Sequence, residues 1–207
     1  KMLLRKVDGI IVVNHKLEEW VINTLQFPPE KVWFLPNYVA EKEVNPVPDL
    51  PGQPGSRLVC VANLRRQKDH LTLIRAMRII VSEIPHVHLF LVGADSGDGS
   101  LRGITNEINI LGLEDHITWL GLRNDVPAIL SACDIGVLSS SSEGLPLALL
   151  EYGVAGLAVV VTDVGECGAV LDNGQNGIIV PPSSPPAMAE GILRLLKNSR
   201  LRESYGQ

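Results

Sequence analysis

Two glutamates stand eight positions apart in the stretch 139–156, which reads SSSSEGLPLALLEYGVAG. Four hydroxyl residues lead into Glu143 and Gly144, and Pro146 opens a helix that carries the second acid, Glu151. A proline suits the first helical position because its missing N–H would find no intrahelical partner there. Projected at about 100° per residue from Leu147, the helix puts Leu150, Val154 and Ala155 on one side and Glu151 within that apolar stripe. A carboxylate so placed loses hydration unless a partner hydrogen-bonds it. Glu151 therefore either pairs inside the core or is aimed at a ligand. The N–H groups of the first helical turn, just after Gly144, suit an anion such as phosphate. The apolar run 145–161 is no membrane span, because Glu151, Gly153 and Gly156 interrupt it and it falls short of the roughly 20 residues a bilayer requires.

A second group of interest is basic. Arg65, Arg66 and Lys68 follow directly on the apolar run Leu58-Val59-Cys60-Val61-Ala62. They are either a solvated loop or, at the carboxyl end of a strand, cations for a diphosphate. The Gly93 to Gly99 loop is neither a dinucleotide fingerprint nor a P-loop, since no Gly-Lys-Ser/Thr follows, and it reads as a flexible turn. His70, His86, His88 and His116 lack ligand spacing with cysteines or acids, so no metal site is expected. Ser139 to Ser142 have no Gly-x-Ser-x-Gly frame around them. Cys60, Cys133 and Cys167 form no CxxC pair and read as small buried hydrophobes of a reducing compartment. The net charge of −5 and the lack of any basic run longer than Arg65-Arg66 exclude nucleic acid as the expected partner. No signal peptide is legible in Lys1 to Gly9.

The elements that must position these groups follow from the hydrophobic pattern. With 207 residues and 45% apolar content, the chain suits one large domain, or one domain plus a fragment, with a real core. A strand (Gly9 to Val13), a helix (about His15 to Leu25) and a short strand (Val32 to Leu35) come first. Pro46, Pro48, Pro51 and Pro54, with Gly52 and Gly55, then mark a linker. From Arg57 onward, strands at 58–62, 87–92, 116–120, 134–138, 158–161 and 177–180 alternate with helices at about 69–83, 99–111, 126–132, 146–156 and 185–197, with a turn-rich stretch at 165–176. The strands are nearly continuous apolar runs, which predicts a Rossmann-like parallel sheet covered by helices on both faces. Ligands of such sheets bind at the strands' carboxyl ends. Three loops leave there with charged or glycine groups: 63–68, 121–125 and 139–146.

Taken together, Glu143-Gly144-Leu145-Pro146, Glu151, Gly156 through Thr162-Asp163-Val164-Gly165, and Gly177-Ile178-Ile179-Val180-Pro181-Pro182 resemble family 4 (group 1) retaining glycosyltransferases of the GT-B fold. Val61-Ala62-Asn63-Leu64 with Gln67-Lys68-Asp69-His70, Leu120-Gly121 ahead of Asp125-Val126, and Leu35-Pro36-Asn37 add to the resemblance, which runs from about Asp8 to Tyr205. It implies one half of a GT-B fold, the carboxy-terminal half that binds a nucleotide-sugar donor. By that resemblance, residues 1–37 are the remnant of an amino-terminal acceptor domain, 38–56 the linker, and 57–207 the donor domain. Glu143, Lys68 and Arg65 would be the catalytic residues, with Glu143 on a donor-sugar hydroxyl and the two cations on the diphosphate. Glu151 would hold the ribose, Gly144, Leu145 and Pro146 would face phosphate or sugar, and Leu122 and Arg123 would meet the base.

The activity so implied is transfer of a hexose-type sugar with retention, as in polysaccharide biosynthesis, without metal or other cofactor and with the nucleotide-diphosphate sugar as substrate. The acceptor would be bound mainly by the absent amino-terminal domain, without which the fragment would transfer nothing. A cytoplasmic location follows, with peripheral attachment of the full-length protein to the inner face of a membrane as a further expectation. The chain departs from the family pattern at Asn63, where the family carries an arginine, so either Arg65 or Arg66 takes that role or diphosphate binding is weaker. It departs again at Tyr38, where the family carries a glycine. Two other readings use the same crevice: a non-catalytic nucleotide-sugar-binding module, which would bind donor without transfer, and a sugar-nucleotide epimerase, which would convert donor without acceptor. A dehydrogenase half is disfavoured by the missing glycine fingerprint.

Overall fold

A computed structural model of the chain describes residues 6–39 and 49–206. Residues 1–5 of the expected remnant and 40–48 of the expected linker lie outside the described residues.

The first unit is small. Strand β1 (Ile10–Val12), helix α1 (His15–Asn23) and strand β2 (Val32–Phe34) form a two-stranded parallel sheet with one helix. The Asn14 side chain caps α1 by accepting from the Leu17 amide at 2.7 Å. Val12, Val21 and Val32 are its buried core, while Trp20, Trp33, Phe34, Leu35 and Tyr38 remain exposed.

The second unit is a six-stranded, all-parallel sheet built from β3 (Arg57–Val61), β4 (His88–Val92), β5 (Ile117–Gly121), β6 (Ile135–Leu138), β7 (Ala158–Thr162) and β8 (Ile178–Val180). Its strand order is β5-β4-β3-β6-β7-β8. The chain enters at the centre with β3, moves outward through β4 and β5, crosses back to β6, and then moves outward the other way. The order reverses between β3 and β6, and two loops leaving neighbouring strand ends in opposite directions open a crevice there. The expected α/β class and covered parallel sheet are what the molecule has.

Side chains alternate across each strand, so the sheet has two cores. Leu58 and Cys60 face helices α2 (His70–Glu83), α3 (Ser100–Leu111) and α7 (Pro185–Leu196). Val59, Phe90 and Val161 face α4 (Val126–Ser131), α5 (Leu147–Val154) and α6 (Cys167–Val170). A last helix, α8 (Ser199–Tyr205), packs Leu201 and Tyr205 on the first of these cores.

Several expectations need correction. Pro146 is the residue before α5 rather than its first helical residue, with φ −72° and ψ 119°. The stripe projected from Leu147 is not the buried face of α5. Leu149 and Tyr152 are buried, whereas Leu147 is 48% and Val154 53% exposed. Glu151 thus lies beside a face turned away from the core, which removes the desolvation argument made for it. The turn-rich stretch 165–176 holds α6 and a 3-10 turn (Asp172–Gly174), and α8 had no counterpart in the pattern reading. Both helices are short, and α6 has only four residues, too few to display a period.

Candidate functional site

At the carboxyl ends of β3, β5 and β6 lies a cleft of about 460 Å³. From the β3 side Asn63, Arg65 and Lys68 line it, and from the β5 side Leu122 and Arg123. The β6–α5 loop and the first turns of α5 supply Glu143, Leu145, Pro146 and Glu151. Eight of the nine residues to which the family resemblance gives a role therefore meet in one place. The ninth, Gly144, is set back: its carbonyl accepts from the Glu166 amide at 2.9 Å, and a Cβ on it would lie 3.2 Å from Asn14 Nδ2.

An ion pair across the strand reversal joins the two sides. Lys68 Nζ lies 2.6 Å from Glu143 Oε1, the side chains being 21% and 7% exposed. The same oxygen accepts from Ser140 Oγ at 2.6 Å. A nearly buried carboxylate is stable only with such partners. Lys68 ends a 3-10 turn (Arg66–Lys68), after which Asp69 takes a left-handed conformation (φ 44°, ψ 48°) and caps α2 through the Thr72 amide.

The four serines hold this geometry together. Ser139 Oγ donates to the Lys68 carbonyl at 3.0 Å and Ser141 Oγ to the Gln67 carbonyl at 3.1 Å. Gln67 Nε2 donates back to the Ser142 carbonyl at 2.7 Å. From below, Thr162 Oγ1 donates to the Ser140 carbonyl at 2.6 Å. Gly165 supports Glu143 by close backbone approach. Its φ is +58°, and a Cβ would meet the Glu143 and Gly144 carbonyl oxygens at 2.4 and 2.5 Å. Asn37 Nδ2 donates to the Leu145 carbonyl at 2.9 Å, tying the first unit to the site loop.

The Gly93–Gly99 loop is not the free turn expected of it. Gly93 lies against the Ala62 carbonyl, where a Cβ would come within 2.2 Å. Asp95 bridges to Leu64, Ala94 N donates to Asn63 Oδ1 at 3.0 Å, and Arg65 Nε donates to Ser96 Oγ at 3.1 Å. Asn63 and Arg65, both at the cleft, are thus each bonded to this loop. Arg66 is not among the lining residues; its amide donates to Asp98 Oδ2 at 3.2 Å. On the β5 side, Arg123 forms a two-point contact with Asp125 at 2.8 and 2.6 Å, which holds the Asp125 carboxyl below its usual range.

Sequence reasoning gave no role in the site to Ser140, Gln67, Thr162, Asn37 or Tyr152. The serine run was the one available signal, and only the fold shows that it braces Lys68 and Glu143. None of the cysteines is a thiolate nucleophile at neutral pH. Burial pushes Cys60 and Cys133 up to about 12 and Cys167 up to about 11. Among the described residues no three His, Cys, Asp or Glu side chains gather as metal ligands, and no helix is long and apolar enough to cross a membrane.

Comparison with known proteins bears on this arrangement. The phosphatidyl-myo-inositol mannosyltransferase of Mycobacterium tuberculosis is 28% identical over 97% of this chain and 53% of its own length. An exopolysaccharide phosphotransferase of Streptomyces coelicolor is also 28% identical, over 100% of this chain but 22% of its own length. The chain thus spans about a fifth to a half of these two relatives. HepE from Anabaena, solved in complex with UDP-glucose, superposes with a TM-score of 0.81 at 20% identity, covering 97% of this chain and 57% of that one; at that identity the likeness is one of fold. The family of glycosyl transferases group 1 matches residues 55–198, which hold all six strands of the second unit and every cleft residue named above. By that match, the chain belongs to the group 1 glycosyltransferases.

Proposed function

We propose that the cleft is the nucleotide-sugar donor site of a retaining glycosyltransferase, and that residues 57–207 are its carboxy-terminal, donor-binding domain. One observation carries the reading: an ammonium group and two carboxylates from different elements converge where the strand order reverses. Lys68 and Arg65 take the diphosphate, the only part of a nucleotide sugar that demands cations. Glu151 takes the ribose hydroxyls and Glu143 a hydroxyl of a hexose-type sugar, while the backbone at Leu122–Arg123 meets the base. Leu145 and Pro146 wall the cleft beside the sugar.

In the transfer step an acceptor hydroxyl forms a bond to the anomeric carbon on the face from which the diphosphate departs. The diphosphate oxygen keeps the electron pair, and the hydroxyl proton leaves with it. Lys68 and Arg65 stabilise the charge growing on that oxygen, so the chain's contribution is electrostatic and positional. With donor bound, Lys68 moves its proton donors between Glu143 and the phosphate, for which three N–H groups suffice. The first unit, 1–37, is the end of a preceding acceptor domain, and 38–56 its linker. The exposed aromatic residues of that unit and its bond from Asn37 to Leu145 support this. Sugar transfer then needs a chain longer than this one.

The test is a thermal-shift panel of UDP-, GDP- and ADP-sugars, followed by calorimetry with the best diphosphate on Lys68→Ala and Glu151→Ala. Each substitution is expected to weaken binding by about 1–3 kcal/mol, the loss typical when one partner of a charged hydrogen bond is removed. Unchanged affinity in both variants would overturn the assignment.

A further inference from the structure

Tyr152 follows Glu151 on α5 and is fully buried. Its ring lies flat against Gly136 of β6, where a Cβ would meet ring carbons at 2.5 and 2.6 Å. Its hydroxyl accepts from the Val61 amide at 2.7 Å and lies 3.3 Å from the Val137 carbonyl and 3.4 Å from the Val59 carbonyl. With one proton to give, it donates to one of these carbonyls at a time.

Those partners belong to the two strands between which the sheet reverses. β3 and β6 pair through Leu58↔Ile135 and Val59↔Gly136, and there the pairing stops although β3 runs on to Val61 and β6 to Leu138. In a parallel ladder, amides of one strand bond carbonyls of the next at even intervals. Continued by two residues, this register would aim the Val61 amide at the Val137 carbonyl. The tyrosine hydroxyl stands in that gap, inserted into the ladder where the strands part. A phenylalanine would fill the same apolar space, so packing alone does not account for a hydroxyl there. Beyond the parting, β3 leads to Lys68, β6 leads to Glu143, and α5 itself carries Glu151.

We propose that Tyr152 is a positioning residue: its hydroxyl wedges β3 from β6 and thereby sets the cleft width and the placement of Glu151 relative to Lys68. The proposal rests on the donor-site reading above and deepens it. The expected result is that Tyr152→Phe weakens binding of UDP or GDP about tenfold in protein that is still folded, as for a lost hydrogen bond at a buried site. In the Glu151→Ala background the same substitution should cost little more, since the two act as one unit. A lowered melting temperature with unchanged affinity would overturn the proposal, as would strictly additive losses in the two-residue cycle. If Glu151→Ala impairs binding while Tyr152→Phe does not, only the wedge fails; if Glu151→Ala and Lys68→Ala are both silent, the donor site itself fails. In the unaltered chain, saturating UDP or GDP should slow hydrogen exchange at the Val61 amide. Unchanged protection there would overturn the wedge, even where Tyr152→Phe does not fold.

Discussion

At the scale of single residues, the Lys68–Glu143 pair decides most. Glu143 is nearly buried, so removing its cation leaves a carboxylate held by the Ser140 hydroxyl. Breaking such a pair costs more than removing both charges. Lys68→Met alone should therefore destabilise the chain by about 2–4 kcal/mol, and Lys68→Met with Glu143→Gln should recover part of that loss in urea unfolding; a double variant no more stable than the single one would contradict the pairing. His70 gives a second prediction at this scale. It is buried, neither ring nitrogen has a hydrogen-bond partner among the described residues, and burial together with the nearby Lys68 charge pushes it down to about 4 from 6.5. The unfolded chain then binds the proton more readily than the native one. Stability is full above pH 6.5 and is lost as the pH falls from 6.5 towards 4, by up to about 3 kcal/mol. His88, also pushed down by burial, adds to the same limb. Unfolding free energies from pH 7 to 4 should show this limb flattened in His70→Phe; an unchanged slope would contradict it.

At the scale of elements, the site loop depends on a turn that never touches the cleft. Gly165 combines a positive φ with a Cβ position 2.4 Å from the Glu143 carbonyl. Gly165→Ala must strain its own backbone and also push the 143–144 peptide away. A loss of more than about 2 kcal/mol of stability, with weakened diphosphate binding, is expected; wild-type melting would count against the support role. This scale also shows what was legible in the sequence. The alternation of apolar runs with helical periods was readable from Arg57 onward because the four inner strands, β4, β3, β6 and β7, are buried on both faces and so are written as nearly unbroken hydrophobes. Helix α5 was readable in position but not in orientation. Its residues are almost all apolar, so a projection anchored on Leu147 could not tell that Leu149 and Tyr152, rather than Leu147 and Val154, meet the sheet. The bracing by Ser139 and Thr162 was hidden because their partners lie about 70 and 20 residues away along the chain. The role of Gly136 was hidden too, since only packing shows that a tyrosine ring needs the space.

At the scale of the whole molecule, the site exists because the chain starts its sheet in the middle. Order β5-β4-β3-β6-β7-β8 sets the loop after β3 against the loop after β6, so cations at 65 and 68 face acids at 143 and 151 although about 75 residues separate them in sequence. Glu143, Lys68, Arg65, Glu151, Leu145, Pro146, Leu122 and Arg123 were nameable before this was known because of the family resemblance; the residues alone allowed a solvated basic loop and a buried acid just as well. The central claim is that this one cleft holds a nucleoside diphosphate. A crystal structure of the chain with UDP or GDP measures it most directly. Phosphate oxygens are expected within hydrogen-bonding distance of Lys68 Nζ, and ribose hydroxyls on the Glu151 carboxylate. A nucleotide bound elsewhere, for instance in the apolar groove beside Val154 and Tyr205, with Lys68 still closed on Glu143, would contradict it.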